Sequence, residues 1–272
     1  MRWLRWAIAA LALMGCTLAR GVSDLATSAP SPLPPTPTRA PTVPPETGWQ
    51  SIAPGIEYRN ERVTLVGGGS FTAVEVRIDP ALVTFRVHYR PGDALGINGW
   101  SEQIPDAAVI VNAGFFDEAD RSMGLVISDG QVSGESFAGF GGMFQVDAYG
   151  ARVRSLVSEP YYGEDLYQAV QAFPMLVEAG GIAAPQGDGF SEGSRRTVAA
   201  QDRTGRILFI AVPVAFVSFA DLQAWLLASD LDVSIAFALD GGKSTAMVIR
   251  GPDPQTFPAL DGLPAVIAVY PS

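Results

Sequence analysis

The chain has 272 residues, 48% of them hydrophobic and 17% charged, with a net charge of −10. That composition belongs to a globular chain rather than a disordered one, and so acidic a surface argues against nucleic acid as a partner. One cysteine, Cys16, and one histidine, His88, leave no material for an internal disulfide or an ordinary zinc site, and they rule out Ser-His-Asp chemistry unless His88 is the base.

Residues 1–15 carry Arg2 and Arg5 followed by an apolar run. The run is too short for a normal spanning helix and has the n-region and h-region of a signal peptide. Leu13-Met14-Gly15-Cys16 has the form of a bacterial lipobox. Cys16 is therefore expected to be lipidated and to become the mature N-terminus, which places the protein outside the cytoplasm and anchored to the membrane of a bacterial cell envelope. A plain secretory signal is the alternative. Residues 16–47 are rich in Pro, Ser, Thr and Ala, a composition that builds no core and favours an extended tether.

Residues 48–272 are expected to form one domain with a substantial core. Residues 71–78 alternate in polarity, Asp79-Pro80 turns, and residues 82–89 return, a pattern read as a hairpin. His88 falls in its second strand and is expected to be structural. Residues 107–111 form a short apolar strand ending at Asn112. Residues 124–132 contain a strand and an Asp-Gly turn, and residues 145–149 form a further strand. Residues 194–202 and 206–212 are two strands around Thr204-Gly205. Ser218-Phe219-Ala220-Asp221 reads as a capping box, and Leu222, Trp225 and Leu226 follow at helical spacing with their aromatic facing the core. Strands outnumber helices and most neighbours are joined by tight turns. The expected class is α+β, with a largely antiparallel or mixed sheet, a few helices, and a disordered tether before it.

The stretch Asp240-Gly241-Gly242-Lys243-Ser244 separates two apolar runs. It reads as strand, tight loop, strand, either an ordinary Asp-Gly hairpin or a loop whose backbone approaches an anionic ligand. It is not a P-loop, because Phe237 stands where that motif needs glycine and no helix pattern follows. Lys243 is the sole lysine of the chain. Arg195-Arg196 at a strand start suits bidentate recognition of phosphate or carboxylate, or else is a solvated pair.

Five stretches, taken in order, resemble the phosphodiester glycosidase family: Asn112-Ala113-Gly114-Phe115-Phe116, residues 124–130, Pro174-Met175-Leu176-Val177, Arg196-Thr197, and Ala238-Leu239-Asp240-Gly241-Gly242-Lys243-Ser244. The resemblance covers about residues 71–269. It implies hydrolysis of a sugar joined through its anomeric carbon to a phosphodiester, a carbohydrate phosphodiester such as a glycan or cell-envelope linkage being the substrate. It also implies a site made of Asn112, Arg196, Thr197, Asp240, Gly241, Gly242 and Ser244. By that resemblance Arg196 would clamp the phosphate, the Gly241-Gly242 backbone would add donors, Asp240 would act at the anomeric carbon as nucleophile or base, and Asn112 would orient sugar or phosphate. Three positions depart from the family pattern: Ala113, Ala200 and Lys243 replace glycines. A Cβ at each is expected to narrow the pocket, with Lys243 alternatively supplying a second charge to the phosphate. No cofactor is called for, and a divalent cation at the site stays open. Two rivals remain: a non-catalytic glycan- or cell-wall-binding lipoprotein on the same scaffold, and a metal-dependent phosphodiesterase using Asp117, Asp120 and Asp240.

Overall fold

The structure is a computed structural model describing residues 48–272. Cys16, the expected signal segment and the Pro-rich tether lie outside the described residues.

In chain order, β1 (Gln50–Ala53) and β2 (Ile56–Thr64) turn at Gly55, whose φ of +78° suits glycine. After β3 (Ser70–Ile78), a 3-10 turn at Pro80–Leu82 is capped by the Asp79 carboxylate, which accepts from the Ala81 N–H at 3.0 Å. β4 (Val83–Tyr89), α1 (Ile97–Gln103) and β5 (Val109–Asn112) follow. β6 (Val126–Ser128) and β7 (Gln131–Ser133) close around Asp129-Gly130, both at positive φ as a two-residue hairpin requires. Next come β8 (Gly142–Asp147), β9 (Gly150–Ser155), β10 (Gln168–Ala172), β11 (Met175–Glu178) and β12 (Ile182–Ala183). β13 (Ser194–Asp202) and β14 (Ile207–Val217) form the long hairpin expected at Thr204-Gly205. α2 (Phe219–Ala228), β15 (Val233–Ala238), β16 (Met247–Ile249), β17 (Gln255–Phe257) and β18 (Ala265–Pro271) complete the chain.

These strands make three sheets, ordered β1-β2-β3-β14-β13-β15-β11-β12, β7-β6-β10-β8-β9 and β17-β16-β5-β18-β4. The pairings between named strands are antiparallel. The α+β, strand-dominated class expected from the sequence is the one observed.

The largest apolar cluster lies where the three sheets meet. Phe85 of β4, Phe144 of β8 and Phe209 of β14 bring one ring from each sheet, with centroids 5.3, 5.7 and 6.3 Å apart and edge-to-face geometry. Such ring pairs are worth about 0.5–1.5 kcal/mol each beyond their buried area. The other face of the large sheet is covered by α2. Ser218 caps that helix, accepting from the Asp221 N–H at 3.0 Å, and Trp225 meets Phe71 edge-on at 5.7 Å. Both faces being covered, Ile207 to Pro213 reads as one apolar run without alternation.

The hairpin expected at Asp79-Pro80 does not form, and of the two readings of the Asp240-Gly241 stretch the hairpin is not the one observed. β3 pairs with β2 and β14, whereas β4 pairs with β18 in a different sheet. The capped 3-10 turn redirects the chain instead of reversing it. Likewise β15 belongs to the large sheet and β16 pairs with β5 and β17. The Asp240–Ser244 stretch is thus a crossing between sheets, which leaves the ends of β5, β13 and β15 side by side. His88 lies on β4, half-buried, with Nε2 2.9 Å from the Tyr270 hydroxyl, and burial lowers its pKa.

Candidate active site

The register of β13 against β15 places the central pair. Val198 faces Ala238, and the Leu239 N–H donates to the Thr197 carbonyl at 2.9 Å. Continued two positions, this antiparallel register sets Arg196 opposite Asp240. Opposed residues of neighbouring strands share a face, and both side chains line one pocket of about 450 Å³.

Arg196 is buried and held by backbone. Its Nε donates to the Val217 carbonyl at 3.0 Å, and an Nη2 hydrogen bond reaches the Glu192 carbonyl. Its guanidinium carbon stands 3.5 Å over the Phe219 ring, a cation–π contact strengthened by desolvation. Burial lowers its pKa, yet a guanidinium stays cationic at any ordinary pH. Arg195 faces the other way, as strand alternation requires. Its Nη2 donates to the carbonyls of Thr245 at 2.5 Å and Pro258 at 2.8 Å. The arginine pair therefore divides into one pocket cation and one loop brace.

Asp240 is half-buried. Burial pushes its carboxyl up to about 6, against hydrogen bonds from the Ser244 hydroxyl and the Gly241 N–H that pull it down. Among the described residues neither Asp240 nor Arg196 makes an ion pair, so both charges are available to a ligand. Gly241 packs so close to β13 that a Cβ there would lie 2.8 Å from the Arg195 carbonyl oxygen, and Gly242 takes φ +57° to open the 3-10 turn Gly242–Ser244. Both glycines line the pocket.

Asn112 stands behind this loop. Its Nδ2 donates to the Asp240 carbonyl at 2.7 Å, while its Oδ1 accepts from the Thr197 hydroxyl at 2.8 Å and the Ala246 N–H at 3.1 Å. The amide is buried and occupied by protein on both sides. The expectation that Asn112 orients sugar or phosphate is corrected: it sets the backbone of Asp240. Thr197, fully buried, serves Asn112 and does not reach the pocket. Ser244 and the Gly241 N–H hold the Asp240 carboxylate, so these two donors are directed at the acid and not at a phosphate.

The three departures from glycine do not narrow the pocket either. Ala113 is buried behind the loop, where its carbonyl accepts from the Asp240 N–H at 3.1 Å. Ala200 lies in the core under α2. The Lys243 side chain is 72% exposed, its Nζ 3.9 Å from Asp261, and it lies outside the pocket lining.

Residues that sequence reasoning missed complete the walls. Phe115 and Phe173 meet in a tilted ring pair, centroids 4.6 Å apart, on one side, and the cis Phe173–Pro174 pair lines the pocket beside them. Phe219, Asp188 and Glu192 form the Arg196 side. Phe219 was legible only as part of a helix cap, and the two acids sit in a Gly-rich loop with no motif to mark them. The proposed metal trio does not assemble. The Asp117 carboxylate is taken by Arg121 and the Ala119 N–H, Asp120 faces the Ala94 N–H, and no metal-suited group of three His, Cys, Asp or Glu occurs among the described residues.

A phosphodiester glycosidase family model matches residues 105–270, which include every residue of this site. No curated protein matches the chain. Among solved structures, the catalytic domain of zebrafish N-acetylglucosamine-1-phosphodiester alpha-N-acetylglucosaminidase, auto-inhibited by its pro-peptide, superposes with a TM-score of 0.64 at 18% identity, over 83% of this chain and 86% of that one. A Synechocystis protein gives 0.60 at 15% identity, over 80% of this chain and 62% of its own length. A Burkholderia pseudomallei protein described as exported gives 0.56 at 13% identity, over 75% of each chain. At these identities the likeness is one of fold. Matched by the family model over more than half its length, with the Asp240 loop and Arg196 on one pocket, the chain belongs to the phosphodiester glycosidase family.

Proposed function

We propose that the protein hydrolyses a sugar 1-phosphodiester at the anomeric carbon, releasing the free sugar and a phosphomonoester. The observation that carries this reading is the opposition of Arg196 and Asp240 in one pocket with no ion pair between them. A phosphodiester brings a negative charge that suits Arg196, and its C1 brings the electrophile that suits Asp240. Asp240 acts as carboxylate, either bonding to C1 directly, with water then hydrolysing the glycosyl ester to free the sugar and restore the carboxylate, or taking the proton of the attacking water. The C1–O bond breaks with its electron pair going to the phosphate oxygen. Arg196 neutralises the leaving phosphate, already held in place before charge builds up. Phosphate leaves readily, so the strong general acid of ordinary glycosidases is less necessary here.

We further propose, on the lipobox form of Leu13-Met14-Gly15-Cys16, that the enzyme works outside the cytoplasm, tied to the membrane through Cys16. Residues 16–47 would let it work at up to roughly 100 Å from the bilayer if extended at about 3.1 Å per residue. Two or three acyl chains would hold it there stably, at about 0.8 kcal/mol per buried CH₂.

The test is turnover of a panel of sugar 1-(methyl phosphate) diesters by the purified chain and by Asp240→Asn. Hydrolysis of at least one diester, lost in the variant, supports the proposal; no hydrolysis across the panel, or full activity in the variant, overturns it. For the anchor, Cys16→Ser should abolish incorporation of labelled fatty acid, and labelling that persists would refute it.

A further inference from the structure

A second, smaller groove of about 270 Å³ shares two lining residues, Phe173 and Pro174, with the active-site pocket. Its remaining surface includes Phe140, Val157, Met175 and Ala184. Phe140 and Val157 are 47% and 54% exposed. Glu178, at the end of β11, is the charged residue of that lining. The groove is therefore almost wholly apolar, whereas the pocket it adjoins holds Arg196 and Asp240.

Its wall is fixed in place by the residues beneath it. Phe140 stacks on Phe137 at 4.7 Å and meets Phe173 edge-on at 5.7 Å. Phe137 in turn fits over Gly124, where a Cβ would come within 2.7 Å of the ring. Gly141 takes φ +80° and lies so close to β10 that a Cβ would be 2.7 Å from the Ala172 carbonyl oxygen. Phe140, Val157, Phe173, Pro174 and Met175 line one groove together, and it is such contiguous apolar surface, rather than a single exposed ring, that marks a binding site.

We propose that this groove is a subsite for the aglycone, and that the group esterified to the phosphate is apolar, alkyl or aryl, over the atoms nearest the phosphate. The inference rests on the phosphodiester glycosidase reading of the adjoining pocket. Phe173 and Pro174, both partly exposed, line both cavities, so they are the residues a substituent must cross to reach the groove from a phosphate seated at Arg196. A sugar there would bring hydroxyls to a surface offering one carboxylate and otherwise carbon, and unpartnered hydroxyls disfavour binding. An alkyl or aryl group loses nothing and removes apolar surface from water.

The test uses the full chain and the two phosphomonoester products, methyl phosphate and octyl phosphate, with affinities measured by calorimetry. Octyl phosphate should bind at least about tenfold tighter, a modest fraction of what burying seven methylenes allows. Phe140→Ala and Val157→Asp, both at exposed positions, should each cut that ratio to below about threefold. Equal affinities in the wild type, or a ratio unchanged in both variants, would overturn the subsite. Diester turnover reports separately: a preserved affinity ratio without any hydrolysis refutes the glycosidase reading and leaves the apolar site standing. Hydrolysis with equal affinities does the reverse.

Discussion

The Asn112 side-chain amide donates to the carbonyl oxygen of Asp240 across 2.7 Å, joining residues 128 positions apart in the chain. The same amide accepts from Thr197 and Ala246, so Asn112→Ala leaves three buried partners unsatisfied. Each such group costs about 1–3 kcal/mol, and denaturant unfolding should show a loss of at least about 3 kcal/mol. Thr197→Val, which removes one of the three, should cost about 1 kcal/mol. Turnover should fall in Asn112→Ala because Asp240 is displaced. A variant of unchanged stability that only raises KM would mean the amide touches substrate instead.

Arg196 is fixed by two carbonyls and an aromatic face. Removing a donor aimed at developing charge costs about 2.7–4 kcal/mol, so Arg196→Ala should lower kcat/KM by about 10²–10³-fold. Arg196→Lys should recover little, because an ammonium cannot reproduce the planar fork or its stacking on Phe219. Phe219→Leu should give a smaller loss. Near wild-type kinetics in Arg196→Lys would show that charge alone suffices.

With its carboxyl raised to about 6, Asp240 should make kcat/KM climb with pH to near 6 and level off, as expected of a carboxylate acting ionised. The stability effect has the opposite sense. The folded state holds this proton more tightly than the unfolded chain, so the contribution of Asp240 is retained below about pH 4 and lost as pH rises through about 6. Asp240→Asn should therefore raise Tm at pH 7 while abolishing turnover, and the Tm gain should vanish below pH 4. A gain that persists in acid would contradict burial of the charge as its cause.

Lys243 points to solvent beside Asp261. Lys243→Gly should change stability by under about 0.5 kcal/mol, the usual range for an exposed position, and leave substrate preference intact. A shift in preference across the diester panel would mean that the side chain swings into the pocket. Gly241→Ala should do the damage that Lys243→Gly does not, since its Cβ meets the Arg195 carbonyl at 2.8 Å.

Local chemistry was legible in the sequence where it acts locally. The Asp129-Gly130 turn, the Thr204-Gly205 hairpin and the Ser218 cap each depend on a few adjacent residues, and each is present. Strand partners were not legible, because β3 is buried on both faces and its alternation says nothing of which strand lies beside it. Asp79-Pro80 and Asp240-Gly241 carry the letters of hairpin turns, yet each sends the chain into another sheet. At the site, Arg196 and Asp240 were identifiable from motif, while the inward or backward direction of Asn112, Thr197 and Ser244 depends on the loop packed against them. Phe219, Asp188 and Glu192 reach the pocket only through the long-range pairing of β13.

Hydrolysis of a sugar 1-(methyl phosphate) in ¹⁸O-labelled water tests the central claim most directly. Attack at the anomeric carbon breaks the C1–O bond, so the label should appear in the released sugar and the methyl phosphate should remain unlabelled. Label in the methyl phosphate would mean attack at phosphorus, and Asp240 would then not act at a glycosidic carbon.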